Sequence, residues 1–436
     1  MLCAAVGLGT LISEAIAAEY TLERVVLVSR HGVRSPTSSA NLAKFTSQKW
    51  PQWPVGDACL TPYGKTLASR MGEYYRAAFA ESGLLPAVGR PLPANQVFVL
   101  ADLDQRTQET GKGLLDGIFS SPKQEQRKQA KQKQPPQEVV CKDANSDALF
   151  HPVRVGICEF VKKDGETAIL NQAGGSLEGA LKPYDGVVQQ LQSILCGAQD
   201  IGCALKTEKS ALDVEPRNAS LKGPISIGST VSEVFLLEYA QRMPKVAWGR
   251  VSKPDQIIAL LKLHDLQFNL MQRTPYVARR QGSALLHQIL ETLRQTADGQ
   301  SDARRPVPPD AKLVIYVGHD TNLANLGGTL DVHWQLGNYV LDETPPAGAM
   351  TFELLREKQS GKPFVRMAYY SQSLDQMRKG TRLRTSGLGG IATPYAAEIK
   401  IPSRFCAQPQ DGACPWPEFY RQVTDTALIN ACIPAK

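Results

Sequence analysis

The chain of 436 residues has no uninterrupted apolar stretch of 18 residues, which argues against a membrane-spanning helix. It also lacks the short motifs of several large enzyme classes. There is no GxxxxGK phosphate loop, no GxSxG nucleophile elbow and no Cys-x5-Arg loop. HExxH, HxH and clustered carboxylates are absent too, so nothing marks a catalytic metal. Neither charge dominates: 49 lysines and arginines stand against 42 acidic residues, a net charge of +7. That excess favours anionic partners but is too diffuse to argue for nucleic acid. What is there is ordinary: 42% hydrophobic and 21% charged residues exclude a disordered chain, a collagen or a coiled coil. The length suggests two or three domains, and no internal repeat is visible.

Residues 1–18 form an apolar run ending in Ala15-Ile16-Ala17-Ala18, which reads as an export signal peptide. The alternative is a buried N-terminal helix. Apart from Cys3, eight cysteines remain, widely spaced and without a CxxC pair. An even number in an exported chain points to disulfides rather than zinc. Cys196 with Cys203, and Cys406 with Cys414, are close enough in sequence to close short loops. The expected location is periplasmic or secreted.

Three short apolar runs, 23–29, 97–101 and 312–317, have the composition of buried parallel strands. Helical patterns follow each, at 61–80, at 105–118 and from Thr321. This alternation predicts an α/β fold. Residues 349–355 and 364–370 flank a glycine-containing turn and predict an antiparallel hairpin. Between about 159 and 268 the signals are mostly helical, which predicts a helical domain inserted into the α/β domain (19–158 and 269–436). The segment 123–137 is rich in Lys, Gln and Pro without an apolar face, and predicts an exposed loop.

In an open α/β sheet, ligands bind beyond the carboxyl ends of the strands. Here the three runs end in Arg30-His31-Gly32-Val33-Arg34-Ser35-Pro36-Thr37, in Asp102-Leu103-Asp104-Gln105-Arg106-Thr107, and in Gly318-His319-Asp320-Thr321-Asn322. Neighbouring strands would gather three arginines, two histidines and several carboxylates. Guanidinium forks match phosphate oxygens, so the expected ligand is a small anionic phosphomonoester. With no other nucleophile motif, His31 is the candidate to attack phosphorus, since imidazole forms a phosphohistidine. Asp320 is the candidate acid for the leaving oxygen. The remaining His151, His264, His287 and His333 read as structural or exposed.

RHGVRSPT at 30–37 together with GHDTN at 318–322 resembles the histidine acid phosphatases, and within them the bacterial periplasmic phytases. The resemblance extends from about Glu19 to the C-terminus through LTPYG (60–64), DLDQRT (102–107), SEVFLLEYAQ (232–241), WGR (248–250), MQRTP (271–275), NLANLGG (322–328) and the TPP turn at 344–346. It implies a phosphoglycerate-mutase-like α/β domain with a smaller helical domain and a cleft between them. It implies His31 as nucleophile, Arg30, Arg34, Arg106 and His319 around the phosphate, and Asp320 as proton donor. Thr37, Asp102 and Glu233 fall at positions the family uses around the substrate. It implies no metal cofactor, a monomer, and the disulfides Cys158–Cys432, Cys196–Cys203 and Cys406–Cys414, leaving Cys59 and Cys141 for a fourth. Ser38 stands where related phytases often carry lysine, Gln281 where one has arginine, and Thr230 where an apolar residue is usual. The expected activity is phytate hydrolysis at acid pH. A sugar-phosphatase or broad acid phosphatase is the alternative; a non-catalytic phosphate receptor and a phosphomutase fit less well.

Overall fold

The computed structural model describes residues 19–120, 141, 145–196, 203–303, 305–386, 392–428 and 432. The expected signal segment 1–18 and the expected loop 123–137 lie outside them. The described strands are β1 (Tyr20–Arg30), β2 (Val97–Ala101), β3 (Ala211–Glu215), β4 (Asn218–Lys222), β5 (Leu313–Gly318), β6 (Ala349–Glu357), β7 (Pro363–Ser371), β8 (Tyr395–Ile399) and β9 (Cys414–Pro415).

Among the described residues, seven strands form one mixed sheet in the order β2-β5-β1-β6-β7-β8, with β9 added beside β7. β5 lies parallel between β1 and β2, while β6, β7 and β8 continue the sheet antiparallel. Every residue of β5 is buried, as a central parallel strand covered on both faces requires. Alternate side chains serve opposite faces. Val25, Leu27, Ile315 and Val317 pack with Met71, Tyr75 and Leu114 of the helices Pro62–Glu81 and Gln105–Ile118. Val26, Val28, Val314 and Tyr316 belong to a core with Leu285, Ile289 and Leu323 of the helices Pro275–Ala297 and Asp320–Leu330.

The first pair of helices packs unusually close. A Cβ at Gly72 would collide with the Leu114 carbonyl oxygen, and one at Gly117 with that of Ser69. Four helices open on proline (Pro62, Pro224, Pro254 and Pro275), a residue suited to the first turn, where its missing N–H has no partner to lose. Thr61 caps the first of them, its hydroxyl accepting from Gly64 N at 2.8 Å.

The middle of the chain is helical at Lys162–Gln172, Asp185–Cys196, Pro224–Ala240 and Pro254–Met271. It also contains a hairpin, β3–β4, where the sequence reading expects mostly helix. Its signal was a period-two pattern, Leu212 and Val214 against Leu221, broken by Pro216 at the turn; two strands that short are easily lost among longer helical stretches. The helix Pro224–Ala240 is buried on nearly all sides, which suits its central place and its apolar composition.

Four disulfides are formed, Cys59–Cys141, Cys158–Cys432, Cys196–Cys203 and Cys406–Cys414, with Cα separations of 4.9 to 5.7 Å. Their loops differ greatly: 274 residues separate Cys158 from Cys432, and 8 separate Cys406 from Cys414. Chain entropy alone assigns about 5.6 kcal/mol to the first and about 2.5 kcal/mol to the second. The Cys158→Ala/Cys432→Ala pair should therefore lower the unfolding free energy more than Cys406→Ala/Cys414→Ala. Urea titrations of the two variants test this, and the reverse order would show that local packing outweighs the loop term.

Candidate active site

The sheet register assembles the site. Arg30, the last residue of β1, lies opposite Gly318, the last of β5. The residues that follow, His31 and His319, leave the sheet side by side, and His31 N donates to Gly318 O at 2.9 Å. On the other side of β5, Asp102 N donates to Val317 O at 3.0 Å, placing the end of β2 level with both. Segments some 200 residues apart in sequence thus converge at one sheet edge. Gly64 permits the last part of this packing, because a Cβ there would overlap the Val33 carbonyl.

His31 is 2% exposed. Its Nδ1 lies 2.9 Å from the Gly32 carbonyl, an acceptor, so Nδ1 carries the proton and Nε2 keeps its lone pair. Burial, reinforced by the charges of Arg34, Arg106 and Arg30, pushes this imidazole well below its ordinary pKa. The result is an oriented imidazole, harder to protonate than an ordinary histidine.

Three buried arginines surround it. Arg30 is fully buried, donates from Nη1 to Thr344 O of the TPP turn at 2.7 Å, and pairs through Nη2 with Glu233 and with Asp320 at 2.9 Å. Arg34 Nη2 pairs with Glu233 at 3.0 Å. Arg106 Nη2 pairs with Asp104 at 2.6 Å and lies 3.3 Å from His319 Nδ1. Arg30 Nε, Arg34 Nε, and Arg106 Nε and Nη1 are buried without a hydrogen-bond partner among the described residues. Buried donors of this kind are rare and costly, and a phosphate accepts from them.

Glu233 comes from the helix Pro224–Ala240 and sits between Arg30 and Arg34. Burial opposes its ionisation, but the two guanidinium groups override it and lower its pKa. Asp320 begins the helix Asp320–Leu330, whose N-terminus favours negative charge. Burial opposes its ionisation as well, yet Arg30 and Arg34 hold its carboxyl well below the usual range.

Asp102 lies against two imidazoles. Its Oδ2 accepts from His319 Nε2 at 2.7 Å and from His151 Nε2 at 2.8 Å. Burial resists its ionisation, and the bonds to His151 and His319 hold it well below the ordinary carboxylate value. Thr37 is exposed and lines a cleft of about 410 Å³ that opens beside Arg34 and Glu233. Ser38, Lys44, Lys222 and Thr230 also line it. Gln281 lies in the helix Pro275–Ala297, outside that lining.

Two histidines carry more than the sequence showed. The sequence places His151 among the structural or exposed histidines, because no strand end or charged motif flanks it; the structure sets it against Asp102. His264 is buried, with Nδ1 3.0 Å from Ser229 Oγ. His333 pairs with Asp342 at 2.6 Å and is structural.

An imidazole with a free Nε2, a cradle of guanidinium donors and a carboxyl beside them can form and hydrolyse a phosphohistidine. The chain belongs to the histidine phosphatase superfamily (branch 2), whose profile matches residues 21–370. Phytase AppA of Escherichia coli is 36% identical over 427 residues, which cover 95% of this chain and 94% of that protein. The solved structure of Hafnia alvei phytase in complex with myo-inositol hexakis sulphate is 34% identical, with a TM-score of 0.80 over 95% of this chain and 99% of that one. A glucose-1-phosphatase of Salmonella typhimurium is 27% identical, covering 96% and 97% of the two chains. The chain is accordingly a phosphomonoester hydrolase.

The Asp102–His319 bond yields a prediction. Asp102→Asn keeps the shape and removes the charge that orients His319. A hydrogen bond to a charged group is worth about 1.5–3 kcal/mol, or about ten- to hundredfold in rate. Steady-state kcat/KM should fall by that factor in a protein with unchanged circular dichroism; an unaltered rate would remove Asp102 from the positioning of His319.

Proposed function

We propose that this protein is a phytase, removing phosphate from inositol hexakisphosphate through a phosphohistidine on His31. The observation that carries this reading is the free Nε2 of a neutral, buried His31 among arginines whose N–H groups lack partners. The phytate assignment rests in addition on its relatives and on the cleft beside Arg34, where Lys44 and Lys222 supply positive charge for the substrate's other phosphates.

His31 Nε2 attacks phosphorus, the bond from phosphorus to the leaving oxygen breaks, and Asp320 gives that oxygen its proton. Water then attacks the phosphohistidine, Asp320 takes back a proton, and phosphate and neutral His31 are released. Asp320 must be protonated in the first step, although Arg30 and Arg34 favour its anion. A phosphate dianion on the same arginines offsets their charge and raises the pKa of Asp320. The proton is thus gained with the substrate. We also propose Arg30, Arg34, Arg106 and His319 as the phosphate's holders, Thr37, Asp102 and Glu233 as its surroundings, and a two-domain monomer (19–158 and 269–436; 159–268) exported to the periplasm or beyond. The disulfides support export.

His31→Ala should abolish turnover, and acid-labile phosphate trapped on the native protein should be missing from the variant. Because the folded pKa of His31 is depressed, its nucleophilic form persists as pH falls through the ordinary imidazole value of about 6.5. Phosphohistidine formation should therefore not fall off near that pH; a burst rate halved there would contradict the depressed pKa. Asp320→Asn should cost on the order of 10²–10⁴ in the burst rate on phytate, and much less on p-nitrophenyl phosphate, whose phenolate leaves unaided. Equal losses would give the proton to another group.

Product-resolved digestion decides the substrate. Phytate should be preferred over glucose 1-phosphate in kcat/KM, and the opposite preference would make the enzyme a sugar phosphatase. Chelators should leave the rate undiminished.

A further inference from the structure

Asp102, His151 and His319 bring three metal-ligating atoms within 4.8 Å of one another. A single oxygen, Asp102 Oδ2, lies 2.7 Å from His319 Nε2 and 2.8 Å from His151 Nε2. Its other oxygen, Oδ1, is buried without a hydrogen-bond partner among the described residues. Asp104 Oδ2 lies 3.7 Å from His319 Nε2, and Arg106 pairs with that carboxylate at 2.6 Å. Two carboxylates against one guanidinium leave this corner receptive to a cation.

The three ligands are held in place beforehand. His319 N donates to Asn322 Oδ1 at 2.9 Å. Asn322 Nδ2 in turn donates to Phe150 O at 2.8 Å, tying the His151 segment to the helix Asp320–Leu330. His151 N donates to Asp147 O at 2.8 Å, and the Asp147 carboxylate pairs with Arg305 at 2.7 Å. The imidazole of His151 is 20% exposed, which gives solvent a way in.

We propose that Asp102, His151 and His319 form a binding site for a zinc-class divalent ion, and that the ion inhibits the enzyme. Two imidazoles and one carboxylate are a ligand set for Zn²⁺ with a further position for water, whereas Mg²⁺ prefers oxygen ligands throughout. Binding is an exchange without redox change. Each neutral imidazole changes tautomer, its proton passing by exchange with solvent from Nε2 to Nδ1, so that the freed Nε2 lone pair binds the ion and Asp102 Oδ2 becomes the third donor. Ligand distances of about 2.0–2.2 Å require only that the three groups move slightly apart around the ion. His319 is then fixed by the ion instead of by Asp102, and its ring, 5.6 Å from that of His31, leaves its place beside Arg106 and the nucleophile.

The test is a Zn²⁺ titration of p-nitrophenyl phosphate hydrolysis by the native protein, His151→Asn and His151→Leu, each rate taken relative to the same protein without metal. Losing one ligand of three should raise the half-inhibiting concentration by at least about tenfold, the scale that even outer partners of a metal command. Mg²⁺ should do nothing at the same concentrations. A second readout is independent of turnover and so of the phosphatase reading: one equivalent of Co²⁺ should give visible d–d absorption in the native protein and none in His151→Leu. Circular dichroism confirms that the variants fold. Equal inhibition of all three proteins, or no cobalt spectrum, would overturn the site. A cobalt spectrum with no zinc inhibition would overturn the inhibitory role.

Discussion

Charge buried away from bulk solvent is the constraint around which this molecule is organised. Arg30 is wholly removed from solvent, and Arg34 and Arg106 nearly so. An unpaired guanidinium in such a place would be prohibitively costly. Glu233, Asp320 and Asp104 supply the counter-charges, and each comes from a different part of the chain. This explains why a helical segment inserted after the first two strands must return to the sheet edge. The helix Pro224–Ala240 brings one carboxylate to two arginines, and its apolar surface fixes it there.

The same charges divide the labour between two aspartates. Asp102 and Asp320 are both held as carboxylates, but by different partners. Imidazole N–H groups hold Asp102 directly, with no guanidinium among the described residues bonded to its carboxylate. Guanidinium groups hold Asp320, and these are the groups a phosphate engages. On the proposed mechanism, Asp320 is therefore the aspartate whose acidity a bound phosphate changes more directly. Neighbouring carboxyls in one pocket thus differ in the donors that hold them, and the proposed division into strut and acid follows from that difference.

Much of this was legible in the sequence because it is local. The strands 97–101 and 313–318 and the helix at 105–118 show in short windows. His31 and His319 show as strand ends with charged flanks. What was not legible depends on contacts across the chain. Nothing near Glu233 says that it will lie between Arg30 and Arg34; the family resemblance alone singled it out. His151 has no local pattern and acquires its place from the Asp147–Arg305 and Asn322–Phe150 tethers. Asp102 showed as a strand-end carboxylate, but its hold on two histidines depends on the parallel pairing of β2 with β5. The β3–β4 hairpin was hidden for another reason, since its period-two signal spans too few residues to stand out.

The position of β5 has a consequence for how the chain reaches this structure. β1 and β2 are made early, yet they never touch in the sheet; the strand that joins them arrives some 200 residues later. Until then both carry unpaired backbone edges and apolar faces, the features that slow folding and invite aggregation. Closure of the sheet also creates the site, because Gly318 accepts from His31 only once β5 is in place. The candidate site is thus absent through most of synthesis, and its two histidines are brought together in the same event that completes the core.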